Sequence, residues 1–426
     1  MGARRIVGNL DCEVSFALAA ARGRGELGVA TAGPGDSRWS LPIGVERAIS
    51  AYATLLRAFA REGDRLWTPQ PVDPARVPQV PGLYCPSLES GALQSLPASA
   101  EILAWGETQE VQSMGAGQKP CARHPERPDS LLADAVWAVG RAPASVAMRA
   151  NHRGLCLEMA GSLGIALGGA KVLRSLPELD VHLEDGGASA APSEGWVLKV
   201  PFSAAGRSRF LARGRRLDEP GRRRVERLLE LHGELLFEPW MARMADFGCC
   251  AIVDDRLDGG RRDLGVHLQE VDRGGGFRGI RLASSGSEAS WLTSAERELL
   301  DKVLTHVGVH LTRLGYRGPV GIDCWRYRDA AGAVKFHALG EINARMSFGL
   351  VARVLVDRLR MAGTIGADDE VRLRLGKAEE LRQAGPSGTT MLPLLTPSAA
   401  EPSAAWLEFL AQNSSCADRD AAPRLS

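Results

Sequence analysis

The sequence predicts a mixed α/β protein in two parts: an N-terminal α/β domain over residues 1–143 and a larger, strand-rich module over 144–396. Three observations point there. The chain has 426 residues, enough for two or three domains at roughly 100–200 residues each. Short apolar strand candidates alternate with stretches of helical periodicity. From residue 151 the pattern sharpens into a capped helix followed by a hairpin, and after about residue 396 it loosens into Ala, Ser, Pro and Asp. Residues 397–426 therefore read as a flexible C-terminal tail, Ala404 to Leu410 excepted.

Each element has its own signal. Arg5 to Asn9 and Ala100 to Trp105 are short strands. Val14 to Ala21 is helix-like, and Val45 to Arg61 places Ile49, Tyr52, Leu55, Leu56 and Phe59 on one helical face. The Pro-rich stretches Trp67 to Pro86 and Gly115 to Pro128 read as surface loops. Arg153 to Leu163 is a helix stopped by Gly164, and Val172 lies in a short strand. Glu178 to Glu194 is a polar connection. Trp196 to Val200, Glu234 to Phe237 and Cys249 to Val253 are strands, and Arg222 to His232 is an arginine-rich helix. Thr293 and Glu296 form a capping box for a helix reaching Leu314. Val320 to Tyr327 and Val334 to Asn343 form a hairpin turning at Asp329 to Gly332.

Composition narrows the partners. Apolar residues are 45% and charged residues 24% of the chain, ordinary for a globular protein. The net charge is +1, from 52 basic and 51 acidic residues, which gives no general attraction to nucleic acid or anionic membrane. No apolar run reaches the ~18 residues of a membrane span, and the first ten residues lack the pattern of a signal peptide. The eight cysteines include no Cys-x-x-Cys pair, so a reduced cytoplasmic interior is the expectation. Only six of the 52 basic residues are lysine, so a lysine inside an apolar strand stands out.

Three segments carry chemistry. Asp323 lies on the first hairpin strand, and Glu341, Asn343 and Arg345 alternate on the second, so all four can share one face. Two carboxylates and an amide suit Mg²⁺, which takes hard oxygen ligands together with nucleotide phosphates. The alternative is the polar outer face of a hairpin. Lys199 sits in the apolar strand Trp196 to Val200, ahead of the small-residue loop Ser203 to Gly206. A buried ammonium needs an anion, and the loop offers N–H donors to phosphate. The alternative is an edge lysine reaching solvent. Leu235 to Met241 runs a strand into a short connector. There Pro239 offers a carbonyl and Met241 an N–H to an adenine edge, and Asp246 a carboxylate to ribose. A plain strand end with a Pro turn is the alternative.

In this order the segments resemble the ATP-grasp family over about residues 144–396. Glu341-Ile-Asn343-Ala-Arg345 looks like the Glu-x-Asn-x-Arg signature of its carboxylase and carboxylate–amine ligase members. The resemblance implies an ATP-grasp module of two α+β lobes after the N-terminal α/β domain. It implies ATP held by Arg153, Lys199, Ser203, Gly206, Glu238, Pro239, Met241 and Asp246. It implies Mg²⁺ or Mn²⁺ on Asp323, Glu341 and Asn343, with Arg345 as the catalytic oxyanion group. The implied reaction is ADP-forming joining of a carboxylate to an amine through an acyl phosphate. A kinase-like phosphotransferase and a non-catalytic nucleotide-binding protein are the alternatives. The sequence departs from the family pattern in having Arg153 where lysine is usual, one glycine in the lid, and a long hairpin step of 18 residues from Asp323 to Glu341.

The remaining signals are weaker. Gly23-Arg24-Gly25-Glu26-Leu27-Gly28 follows a helix rather than the strand that a dinucleotide turn needs. His306 and His310 share a helix face without a third ligand. Cys121 and His124 are two ligands, not a zinc site. Arg213, Arg215, Arg216 and Arg222 to Arg224 read as a solvated face. Asn9, Asp11 and Glu13 follow the first strand toward a cleft, and His267, Gln269, Glu270 and Asp272 to Arg278 are candidates for an acceptor pocket. Substrate identity and oligomeric state have no signal.

Overall fold

The computed structural model describes residues 4–24, 41–97, 100–115, 132–191, 195–203, 209–272, 276–284, 290–382 and 389–410. The first unit contains β1 (Arg4–Val7), α1 (Cys12–Gly23), α2 (Ile43–Ala53), β2 (Arg65–Thr68), β3 (Ser87–Ser90), β4 (Glu101–Ala104), α3 (Gln109–Met114), α4 (Leu132–Ala138) and α5 (Ala144–Ala150). Its four strands are parallel in the order β3-β2-β1-β4. Parallel strands need crossovers that cover the sheet, and Ile6 and Leu66 are fully buried beneath them.

The helix expected over 45–61 changes character midway. After α2 the chain tightens into a 3₁₀ segment, Thr54–Phe59, that buries Leu55, Leu56 and Phe59. Arg57 is buried there because its guanidinium donates to the carbonyls of Pro78 and Leu394. The stretch 67–86 is not simply a surface loop. It completes β2, and Arg76, Val80 and Leu83 are buried. Arg76 donates to Thr396 O at 2.9 Å and Ser403 O at 2.7 Å, joining this unit to the C-terminal strands.

The second unit contains α6 (Arg153–Ser162), β5 (Lys171–Leu173), α7 (Leu176–Glu184), β6 (Gly195–Lys199), β7 (Arg209–Arg213), α8 (Glu219–His232) and β8 (Leu235–Pro239). Its antiparallel sheet runs β5-β8-β6-β7. Trp196 stacks on Phe237 at 5.5 Å, over a core shared with Leu179, Leu183 and Val225. The connection expected over 178–194 instead begins inside α7, which runs to Glu184, and continues as turns to 191. Ser175 caps that helix, Pro177 fits its first turn, and Leu179 and Leu183 supply its buried face.

The third unit contains β9 (Ala242–Val253), β10 (Arg261–Val271), β11 (Phe277–Leu282), α9 (Ser294–Arg313), β12 (Gly318–Arg328), β13 (Val334–Asn343), α10 (Phe348–Met361), β14 (Glu370–Lys377), α11 (Ala378–Arg382), β15 (Thr389–Leu395) and β16 (Ser403–Leu410). Its eight-stranded sheet is ordered β13-β12-β9-β10-β11-β14-β16-β15. The Thr293/Glu296 capping box is formed. The β12–β13 hairpin turns where Asp329 Oδ1 accepts from the N–H groups of Ala331 and Ala333. Ser403–Leu410 lies between β14 and β15. The tail drawn from residue 397 is therefore sheet over these residues, and 411–426 lie outside the described residues. Among the described residues no helix is long and apolar enough to cross a membrane.

Candidate functional site

The site grows from register. Asp323 on β12 faces Glu341 on β13, and Gly321 faces Asn343. On the other side of β12, Asp323 lies opposite Gly248 and Trp325 opposite Asp246 on β9. Gly248 and Asp246 in turn pair with His267 and Gln269 on β10. Paired residues share a face, so four strands present Glu341, Asn343, Asp323, Asp246 and Gln269 to one side.

The acidic centre is tightly bonded. Asp323 Oδ1 accepts from Gln269 Nε2 at 2.6 Å, and its Oδ2 accepts from Asn343 Nδ2 at 3.1 Å. Arg345 Nη2 donates to Asn343 Oδ1 at 2.9 Å. Burial, and then the Glu341 carboxylate, raises the Asp323 carboxyl to about 6. Two carboxylates with an amide beside them fit a hard divalent cation, which would relieve that crowding. Among the described residues no three His, Cys, Asp or Glu side chains gather to hold a metal by themselves.

Two cations approach from the second unit. Arg153, 7% exposed at the start of α6, donates to Val200 O at 2.6 Å and to Ser203 Oγ and O at 2.9 Å each. Its remaining bond, to Glu341 Oε1 at 2.8 Å, crosses to β13. Lys199 ends β6 and meets Glu238 on β8 at 2.5 Å. Burial works to raise the Glu238 carboxyl, but Lys199, helped by His337 and Arg243, more than offsets it and leaves it below its ordinary value. Lys199 is therefore not an edge lysine in solvent. Gly206 lies outside the described residues.

The connector after β8 is partly as expected. Pro239 ends the strand opposite Trp196. Met241 is buried against Leu167, Ala191 and Trp325. Asp246 accepts from Arg243 at 2.7 Å, so its carboxylate already has a cationic partner. A small cavity between the two sheets is lined by Arg153, Cys156, Leu236, Glu238, His337 and Leu339.

Several residues here had no sequence signal. The Arg243 guanidinium lies 3.8 Å over the Trp325 ring, and His337 packs beside that ring at 4.6 Å. Burial first, with help from Lys199 and Arg243, lowers the His337 imidazole to about 4. Gly340 makes the tryptophan's place: a Cβ there would stand 1.7 Å from Trp325 Cζ3. Nothing in the spacing of a tryptophan and a glycine 15 residues apart announces that contact.

The acceptor-pocket candidates separate. Gln269 joins the acidic centre, whereas Glu270 points away to Arg372 at 2.5 Å. His267 fills a slot between Gly248 and Gly349. Asp272 pairs with Arg278 at 3.1 Å, and 273–275 lie outside the described residues. Glu13, in contrast, does reach the site, with its Oε1 2.5 Å from Arg345 Nε. Burial works to lower the Arg345 guanidinium, and the surrounding anions, Glu13 first and then Cys12, Glu341 and Asp323, turn that into a net rise. His306 bonds Ser162 Oγ at 3.1 Å, while Cys121, His124 and Gly25 to Gly28 lie outside the described residues.

A parallel-sheet domain, a small antiparallel sheet and a large antiparallel sheet facing each other across this site constitute the ATP-grasp fold, as solved structures bear out. N5-carboxyaminoimidazole synthetase from Staphylococcus aureus, complexed with ADP, matches with a TM-score of 0.53 at 10% identity, covering 97% of this chain and 94% of that one. A biotin carboxylase–β,γ-ATP complex from Campylobacter jejuni matches at 0.52 with 11% identity, covering 96% and 87%. An ADP complex of N5-carboxyaminoimidazole ribonucleotide synthetase matches at 0.51 with 11% identity, covering 97% and 93%. No family model and no curated protein matches the chain.

Proposed function

We propose that the chain is an ATP- and Mg²⁺-dependent ligase that activates a carboxylate as an acyl phosphate and joins it to an amine, releasing ADP and phosphate. What carries the reading is the Asp323–Glu341 cross-strand pair, bonded through Asn343 to Arg345 and bridged by Arg153 to the opposite sheet. In this reading ATP would lie between the sheets, with Arg153, Lys199 and Ser203 at its phosphates. Glu238, Pro239 and Met241 border the base, and Asp246 borders the ribose. Asp323, Glu341 and Asn343 would hold Mg²⁺, or Mn²⁺, which supplies charge neutralisation on the phosphates.

The protein's own part is placement and charge. Arg153 and Lys199 align the γ-phosphoryl group toward the substrate carboxylate, whose oxygen takes it as ADP leaves. Arg345 then stabilises the oxyanion formed when the amine attacks the acyl carbon. A cytoplasmic setting belongs to the same proposal. Glu341→Gln tests the metal assignment. A folded variant should lose ATP-dependent turnover by about 100-fold or more, and full turnover would overturn the assignment.

A further inference from the structure

We propose that Arg243 is a built-in competitor of the nucleotide: its guanidinium covers the face of Trp325 on which the base stacks, and its pair with Asp246 occupies the carboxylate that the ribose needs. This rests on the reading of ATP between the sheets.

Trp325 stands where three assignments made on separate grounds converge. Asp246, the ribose candidate, lies opposite it on β9. Met241, a base candidate, packs against it. Lys199, a phosphate candidate, has its Nζ 5.9 Å from the centre of the ring. Trp325 also follows Asp323 by two residues on β12, so both side chains point to the face of the acidic centre. On the β13 side a Cβ at Gly340 would collide with the indole, so that glycine makes room for the ring. Trp325 is 3% exposed, yet its Nε1 has no hydrogen-bond partner among the described residues. A buried indole ordinarily places its N–H on an acceptor. This one is a large planar surface with a donor left over.

Arg243 takes the place of the missing partner. Its guanidinium is flat and cationic, and it lies 3.8 Å from the centre of the Trp325 ring, at stacking distance. The same group pairs with Asp246 at 2.7 Å and stands 5.9 Å from the Trp240 ring. One side chain therefore covers both the aromatic face and the carboxylate. Arg243 remains 32% exposed, so it can move into water without disturbing the core. Arg209 on β7 approaches the same Trp240 ring at 5.7 Å. Its guanidinium is lowered by burial first and then by the Arg243 charge, so the two cations oppose each other across that ring. A nucleotide must displace Arg243, and its apparent affinity falls by the fraction of molecules in which the ring is uncovered.

The test titrates the parent protein, Arg243→Ala, Arg243→Lys and Trp325→Leu with ADP, CDP and inorganic tripolyphosphate, each with Mg²⁺. Loss of a cation beside a polyanion ordinarily weakens binding, so the sign of the change discriminates. Arg243→Ala should bind ADP about 3–10-fold more tightly and tripolyphosphate no more tightly. Arg243→Lys should fall between, because a compact ammonium stacks less well. Trp325→Leu should bind ADP about 10-fold more weakly and lose its preference for ADP over CDP. Its tripolyphosphate binding should persist and shows that the variant is folded; if that is lost as well, the Arg243 series decides alone. Weaker or unchanged ADP binding by Arg243→Ala, an equal gain with tripolyphosphate, or unchanged ADP affinity in folded Trp325→Leu would overturn the proposal. ADP binding by neither the parent nor Arg243→Ala would instead sink the ATP reading, and this proposal with it.

Discussion

Arg153 on α6 and Glu341 on β13 form a 2.8 Å ion pair between that helix and the large sheet. A cation proposed for phosphate and an anion proposed for metal thus neutralise each other. Mg·ATP would satisfy both at once. Charged hydrogen bonds contribute about 1.5–3 kcal/mol each. Arg153→Ala should therefore weaken binding of a non-hydrolysable Mg·ATP analogue by roughly 10–100-fold. Arg153→Lys should fall between, since it keeps charge but loses the forked geometry. Calorimetric titration decides, and unchanged affinity in a folded Arg153→Ala protein would remove Arg153 from the phosphate site.

Lys199 and Glu238 make a second test. Glu238 is 7% exposed, so Lys199→Met leaves a buried carboxylate without its cation. The expected loss is about 3–5 kcal/mol of stability, measured by denaturant unfolding. Adding Glu238→Gln should recover most of that stability without recovering Mg·ATP binding. Recovery of both would make the pair purely structural.

Much of this site was legible because its chemistry rides on strand alternation. Glu341, Asn343 and Arg345 repeat every second residue, so a correctly placed hairpin already puts them together. Lys199 stood out because charge is rare in an apolar strand, and the Thr293/Glu296 box fixed a helix start. Other features arise only from long-range packing. Arg57 and Arg76 are buried because carbonyls far along the chain accept from them, and no local pattern encodes that. The Ser403–Leu410 strand was half-hidden in small and polar residues, because its partners β14 and β15, not its own periodicity, specify it. Glu13 could be placed near a cleft from its position after β1, but its pairing with Arg345 joins residues 332 positions apart.

His337 predicts a pH effect. Burial lowers its imidazole from 6.5 to about 4, so the unfolded chain binds the proton more tightly. The stability it permits is complete above about pH 6.5 and is lost as the pH falls through about 4. Relative to His337→Gln, the parent protein should lose on the order of 2–3 kcal/mol of stability between neutral pH and about pH 4. Unfolding titrations of the two proteins measure this, and a constant difference would show that His337 is not held neutral.

Trp325 and Gly340 predict a steric one. The clash that a Cβ at Gly340 makes with the indole is with a buried ring, so Gly340→Ala should cost about 1–3 kcal/mol. Trp325→Leu in the same protein should relieve it. If Gly340→Ala melts like the parent, the ring does not lie over that glycine in solution.

The most direct test of the central claim is ATP consumption by the purified protein with Mg²⁺ and pooled amino acids and small carboxylates, reading ADP, AMP and phosphate separately. ADP and phosphate appearing together, and only when a substrate pool is present, is the predicted result. Formation of AMP would contradict an acyl-phosphate mechanism, and ADP without free phosphate would contradict ligation in favour of phosphoryl transfer to a stable product.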